Sequence, residues 1–127
     1  MLQGIRLFAE RVTAAMDPAF LAERLEAVRL TFSTLERQLA DPAVAADPSQ
    51  LQHLARERAR LEPLVIDYAR WNELRQEWTQ TRQLLKESRG DTELELMAQE
   101  ELASLTVRIG AIEERLTLAL LPSDPRD

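Results

Sequence analysis

The chain has no cysteine among its 127 residues, so neither a disulfide framework nor a thiolate metal site is available, and a reducing, cytoplasmic setting suits it. Its 3 glycines, Gly4, Gly90 and Gly110, lie too far apart to build a phosphate-cradling loop. Aromatic residues make up only 5% of the chain, which together with the scarcity of glycine argues against a sheet-rich fold. No apolar run approaches the roughly 20 residues needed to cross a bilayer. Positive charge is in deficit: the formal net charge of -6 opposes general binding to phosphate backbones, although a local basic contact with nucleic acid is still allowed.

What the chain does have is helix-forming material. Apolar residues supply 45% and charged residues 30%, enough for a core in one domain and too apolar for disorder. Ala, Leu, Glu, Arg and Gln recur throughout, all favourable in helices. Residues 1–17 are read as a helical N-terminal extension, with Ile5, Phe8 and Val12 at helical spacing. Arg6, Glu10 and Arg11 interrupt its apolar pattern, so it has no signal-peptide core. Packing against protein is preferred over lying on a membrane surface.

Asp17-Pro18 is a cap followed by proline at the first helical position, a strong start signal. From there Leu21, Leu25, Val28, Phe32, Leu35 and Leu39 alternate steps of four and three, a heptad seam. Asp41-Pro42 stops that helix near Ala40. In the connector DPAVAADPSQ a short helical turn can follow Pro42, and Val44 pins the loop to the bundle. Asp47-Pro48 repeats the start signal. The helix it opens is the organising element, about residues 48–89, a rod of roughly 60 Å.

The central helix carries Leu51, Leu54, Leu61, Leu64, Val65, Tyr68, Trp71, Leu74, Trp78 and Leu85, a stripe wide enough for two neighbours. Trp71 and Trp78, two turns apart, are assigned to packing between helices rather than to an exposed hot spot. Pro63 removes a backbone donor from the helix interior, so a kink is expected there rather than a clean break. Gly90 terminates the helix after Lys86 and Arg89. Asp91 or Thr92 then caps a last helix, about 92–120, whose inner seam is Leu94, Ala98, Leu102, Leu105, Ile109, Ile112 and Leu116. Pro122 stops it. The expected fold is therefore all-α: an elongated antiparallel helical bundle or coiled coil of about three long helices, with an additional short N-terminal helix.

Nothing in this pattern assembles a catalytic constellation. The one histidine, His53, sits near the start of the central helix, where Gln50 and Glu57 would make at best a weak metal site. Glu100-Glu101 and Glu113-Glu114 are sequence neighbours and diverge around a helix. The chain is read as no enzyme, without metal or cofactor. Arg56, Arg58 and Arg60 make the central helix its most basic part, while the last helix is rich in glutamate. Ion pairing along and between helices explains such charges in most proteins. The functional reading is a strip that meets rRNA or an acidic protein.

Two irregular stretches are more specific than the heptads. LERQLADPAVAADPSQLQHLARERARLEPLV, from Leu35 to Val65, ends a helix in a double Asp-Pro connector and leads through arginines to Leu61-Glu62-Pro63. LTLALLPSDPRD, from Leu116 to Asp127, is a leucine-rich exit from the last helix. Together they resemble the N-terminal domain, of the PCRF type, of bacterial class I peptide chain release factors, over about residues 20–127. The connector and Leu-Glu-Pro favour the factor that reads UAA and UAG.

The resemblance implies a docking domain for translation termination that is inactive by itself. It implies contact with the ribosome at the stalk base and GTPase-centre side of the large subunit, through proteins and rRNA. It further implies the class II release-factor GTPase, and the methyltransferase that modifies the family's catalytic glutamine, as partners. The sequence holds no Gly-Gly-Gln motif and no tripeptide anticodon, so no catalytic or codon-reading residue is carried over. Residues 1–17 match nothing expected at a release factor's start. Residues 18–121 are expected to form the bundle domain, and 122–127 a linker toward a downstream domain. A monomer is favoured. The rival reading is a free-standing coiled-coil scaffold or adaptor; a cryptic metal or hydrolase site around His53 ranks below both.

Overall fold

A computed structural model describes residues 17–121 of the chain. The helix expected before Asp17 and the linker expected after Leu121 lie outside them. Among the described residues there are four helices and no strand: α1 (Pro18–Leu39), α2 (Pro42–Ala45), α3 (Pro48–Glu87) and α4 (Thr92–Leu120). The protein is all-α.

Each helix begins on an aspartate. Asp17 accepts a hydrogen bond from the Phe20 amide at 2.9 Å, and Asp41 accepts one from Ala43 at 3.0 Å. Asp47 takes the amides of Ser49 and Gln50 at 3.2 and 3.3 Å, and Asp91 takes that of Leu94 at 3.2 Å. These carboxylates satisfy donors that the first turn leaves without intrahelical partners, and they favour the positive end of the dipole. In three of the four cases proline follows, its fixed φ suited to the first helical position.

The connector is partly ordered into α2, which buries Val44. The central helix ends at Glu87, two residues earlier than the basic tail suggests. There the Ser88 hydroxyl donates back to the Leu84 carbonyl at 2.6 Å. The Asp91 amide then closes a turn on the Ser88 carbonyl, through Gly90 at φ +96°, a left-handed value that glycine adopts without strain. The helix runs unbroken through Pro63.

The chain divides into two compact units, Met1–Tyr68 and Ala69–Asp127. In the first, Phe32 and Leu35 of α1 close on Leu61 of α3, with Val28, Leu54, Leu64 and Val65 packed around them. Two polar contacts fix the register: Arg58 donates to Glu36 at 3.3 Å and Tyr68 to Glu26 at 3.0 Å. Ten residues forward on α3 match ten residues back on α1, so this pair is antiparallel.

In the second unit Trp71, wholly inaccessible to solvent, is buried together with Leu74, Ala98, Leu105, Ile112 and Leu116. The Trp78 indole donates to the Thr106 hydroxyl at 3.2 Å, and that hydroxyl donates to the Leu102 carbonyl at 2.8 Å. The Trp71 indole meets Glu113. Seven residues back on α3 therefore match seven forward on α4, a second antiparallel pair. Both tryptophans serve helix packing.

Two expected core residues are exposed. In these registers Leu51 falls opposite the connector and Leu94 opposite the Gly90 turn, so neither faces a long helix. The rest of the seams is buried or half-buried.

Candidate docking surface

The arginines at 56, 58 and 60 are two residues apart, and a helix turns about 100° per residue, so they cannot form one strip. Arg58 turns toward α1. Its guanidinium lies 4.8 Å above the centroid of the Phe32 ring, 2.8 Å from Glu62 and 3.3 Å from Glu36. It caps the edge of the core cluster, combining cation–π and ion-pair contacts in a half-buried site. Arg56 and Arg60, one turn apart, point away from α1. Arg60 reaches Glu57 at 2.9 Å with most of its side chain in water. Arg56 is exposed and in no ion pair among the described residues.

The Glu57 carboxyl is held below the usual carboxylate range by the hydrogen bond from Arg60 and by that arginine's charge, with a smaller contribution from His53. His53 is thus an exposed neighbour on the same face. Among the described residues no three His, Asp or Glu side chains come together as a metal site. No helix of the described residues is long and apolar enough to cross a membrane.

Directly after Arg60 the same face carries a shallow open groove lined by Ala59, Glu62, Pro63, Ile66 and Asp67. Proline lacks the amide donor that would bond the carbonyl one turn back, at Ala59. Ile66 is 59% exposed. Heptad reading passes over this groove because Ile66 falls off the seam; an isoleucine off the seam beside an interior proline was the signal available. The surface thus places Arg56 and Arg60 beside a notch lined by Ala59, Pro63 and Ile66 together with the carboxylates Glu62 and Asp67.

Elsewhere the charges pair locally, as in Arg29–Glu26, Arg70–Glu73 and Arg108–Glu101, all well exposed. Such exposed pairs, screened by water, add little to stability. Arg29 and then the Tyr68 hydroxyl hold Glu26 below the carboxylate range. In the second unit burial pushes the Glu113 carboxyl up, against the charge of Arg75 and the hydrogen bond with Trp71.

The described residues form an all-helical bundle that carries Arg56 and Arg60 on an outer face of α3. Its family is specific: the PCRF domain matches residues 28–127, and the chain belongs to that family. The chain is 39% identical over 105 residues to peptide chain release factor 1 of Acidobacterium capsulatum, an alignment covering 83% of this chain and 29% of that protein. Against peptide chain release factor 1 of Clostridium botulinum (strain Hall) it is 36% identical over 107 residues, 84% of this chain and 30% of the other. Against that of Streptococcus thermophilus the figures are 36% over 105 residues, 83% and 29%. The chain spans about three-tenths of the length of these curated relatives. Their shared name agrees with the resemblance carried by the connector and Leu61-Glu62-Pro63. No solved structure matches the chain.

Proposed function

We propose that this chain acts in translation termination as the docking domain of a peptide chain release factor, helping to hold the factor on the ribosome and taking no part in bond cleavage. The observation that carries this reading is family membership over 28–127. Its partners are the proteins and rRNA at the stalk base of the large subunit. The class II release-factor GTPase and the methyltransferase of the release-factor glutamine are further candidates on the same reasoning. Arg56 and Arg60 are the contact residues; Arg58, committed to Phe32 and Glu36, shapes the face from within.

The test is co-sedimentation with large ribosomal subunits. Arg56→Glu with Arg60→Glu should weaken association about tenfold or more, while circular dichroism keeps its helical amplitude. Unchanged association rejects this face. A concentration-independent dimer that ignores subunits would instead favour a free-standing coiled-coil scaffold.

A further inference from the structure

The outer face of α4 carries a second surface, independent of the arginine face. Leu96, Glu100, Ala103, Val107, Gly110, Glu114 and Leu118 follow one another at steps of three and four, so they share one side of the helix. That side is turned away from the buried seam of Ala98, Leu105, Ile112 and Leu116. Every residue on it is exposed: Leu96 at 55%, Val107 at 72% and Leu118 at 57%. Leu96, Val107 and Leu118 recur along it every eleven residues, about three helical turns apart, with the glutamates Glu100 and Glu114 and the small residues Ala103 and Gly110 between them. None of the three is covered by a described helix.

The charge along the row has one sign. Glu100 and Glu114 punctuate it, and none of its seven positions is a lysine or arginine. Arg108 lies on the flank, where it pairs with Glu101 at 3.2 Å. Near the middle stands Gly110. A Cβ built there meets nothing within 4 Å, so packing inside the chain gives no reason for glycine in a helix interior. A missing side chain between Val107 and Leu118 lets another backbone approach closely, as small residues do where helices cross.

We propose that this face of α4 docks a basic amphipathic helix of another protein, its apolar stripe lying on Leu96, Val107 and Leu118, its lysines or arginines reaching Glu100 and Glu114, its backbone crossing at Gly110. The occupant is a helix because the row is about six turns long and one residue wide. It is basic because the row offers carboxylates alone, and it is protein because those carboxylates repel a phosphate backbone.

The probe is an 18-residue amphipathic peptide of leucine and lysine, titrated into the full chain beside a scrambled peptide of the same composition. The chain should bind the amphipathic peptide about tenfold more tightly than the scrambled one. Glu100→Lys with Glu114→Lys should remove most of that preference, and Val107→Ser or Gly110→Leu should weaken binding severalfold while helicity persists. Glu23→Lys with Glu73→Lys, an equal change of charge on other helices, should leave binding unchanged. Equal loss in that control, equal binding of the scrambled peptide, or indifference to Val107→Ser would overturn the proposal. So would a doubling of solution mass abolished by Val107→Ser, which would make a second copy the occupant, or single-stranded RNA competing for the same residues.

Discussion

Gly110→Ala and Gly90→Ala should change stability in opposite directions, although both glycines face open space. Gly110 lies inside α4, where the backbone is helical and a Cβ meets nothing within 4 Å. Alanine there restricts the unfolded chain and creates no clash, so the helix-propensity difference of about 1 kcal/mol should appear nearly in full. For a domain of this size that is a rise in melting temperature of about 4 °C. Gly90 holds φ +96°, where alanine is strained, so Gly90→Ala should cost about 1 kcal/mol. Thermal and urea melts followed by circular dichroism at matched concentration measure both. A Gly110→Ala protein no more stable than the parent would refute the reasoning, because some contact within the chain would then need the glycine.

Other substitutions separate the roles assigned above. Arg58→Glu places like charge beside Glu36 and Glu62 and removes the cover from Phe32, so urea melts should show a loss of about 1 kcal/mol or more. Arg60→Glu, at an exposed position, should change stability by less than about 0.5 kcal/mol; equal losses would show that the two arginines are not divided between interior and surface. Leu61→Ala opens the cluster of Phe32 and Leu35 and should cost about 2–5 kcal/mol in the same melts. Pro63→Ala restores a donor for the Ala59 carbonyl and should raise the melting temperature; a lower one would mean that packing requires the proline. Glu113 has its folded pKa raised by burial, so its contribution is fully present below the unfolded carboxyl pKa and is lost as pH rises through the folded one. Glu113→Gln should therefore stabilise at pH 7 and lose that advantage in acid; a difference independent of pH would refute the assignment.

Most of the architecture was legible because its signals are local. Asp-Pro at 17–18 and 47–48 and Asp91 state where helices begin, and the steps from Leu21 to Leu35 and from Ala98 to Leu116 state which sides are buried. The exceptions have tertiary causes. Leu51 and Leu94 carry the right spacing, yet the register sets them opposite a connector and a turn. Arg58 reads as one of three equivalent cations, and only the packed position of Phe32 distinguishes it from Arg56 and Arg60. The row along α4 was present in the letters, but its leucines and valine fall between seam positions and are hard to tell from ordinary surface residues.

The four aspartates that open the helices have a wider consequence. Because each boundary is decided by atoms no more than three residues away, the start of every rod is indifferent to what its outer flank displays. Such a protein can have its exterior redrafted for a new neighbour while its lengths and alignments stay put. That separation of punctuation from vocabulary leaves the outer flanks free to vary without moving the ends of the rods.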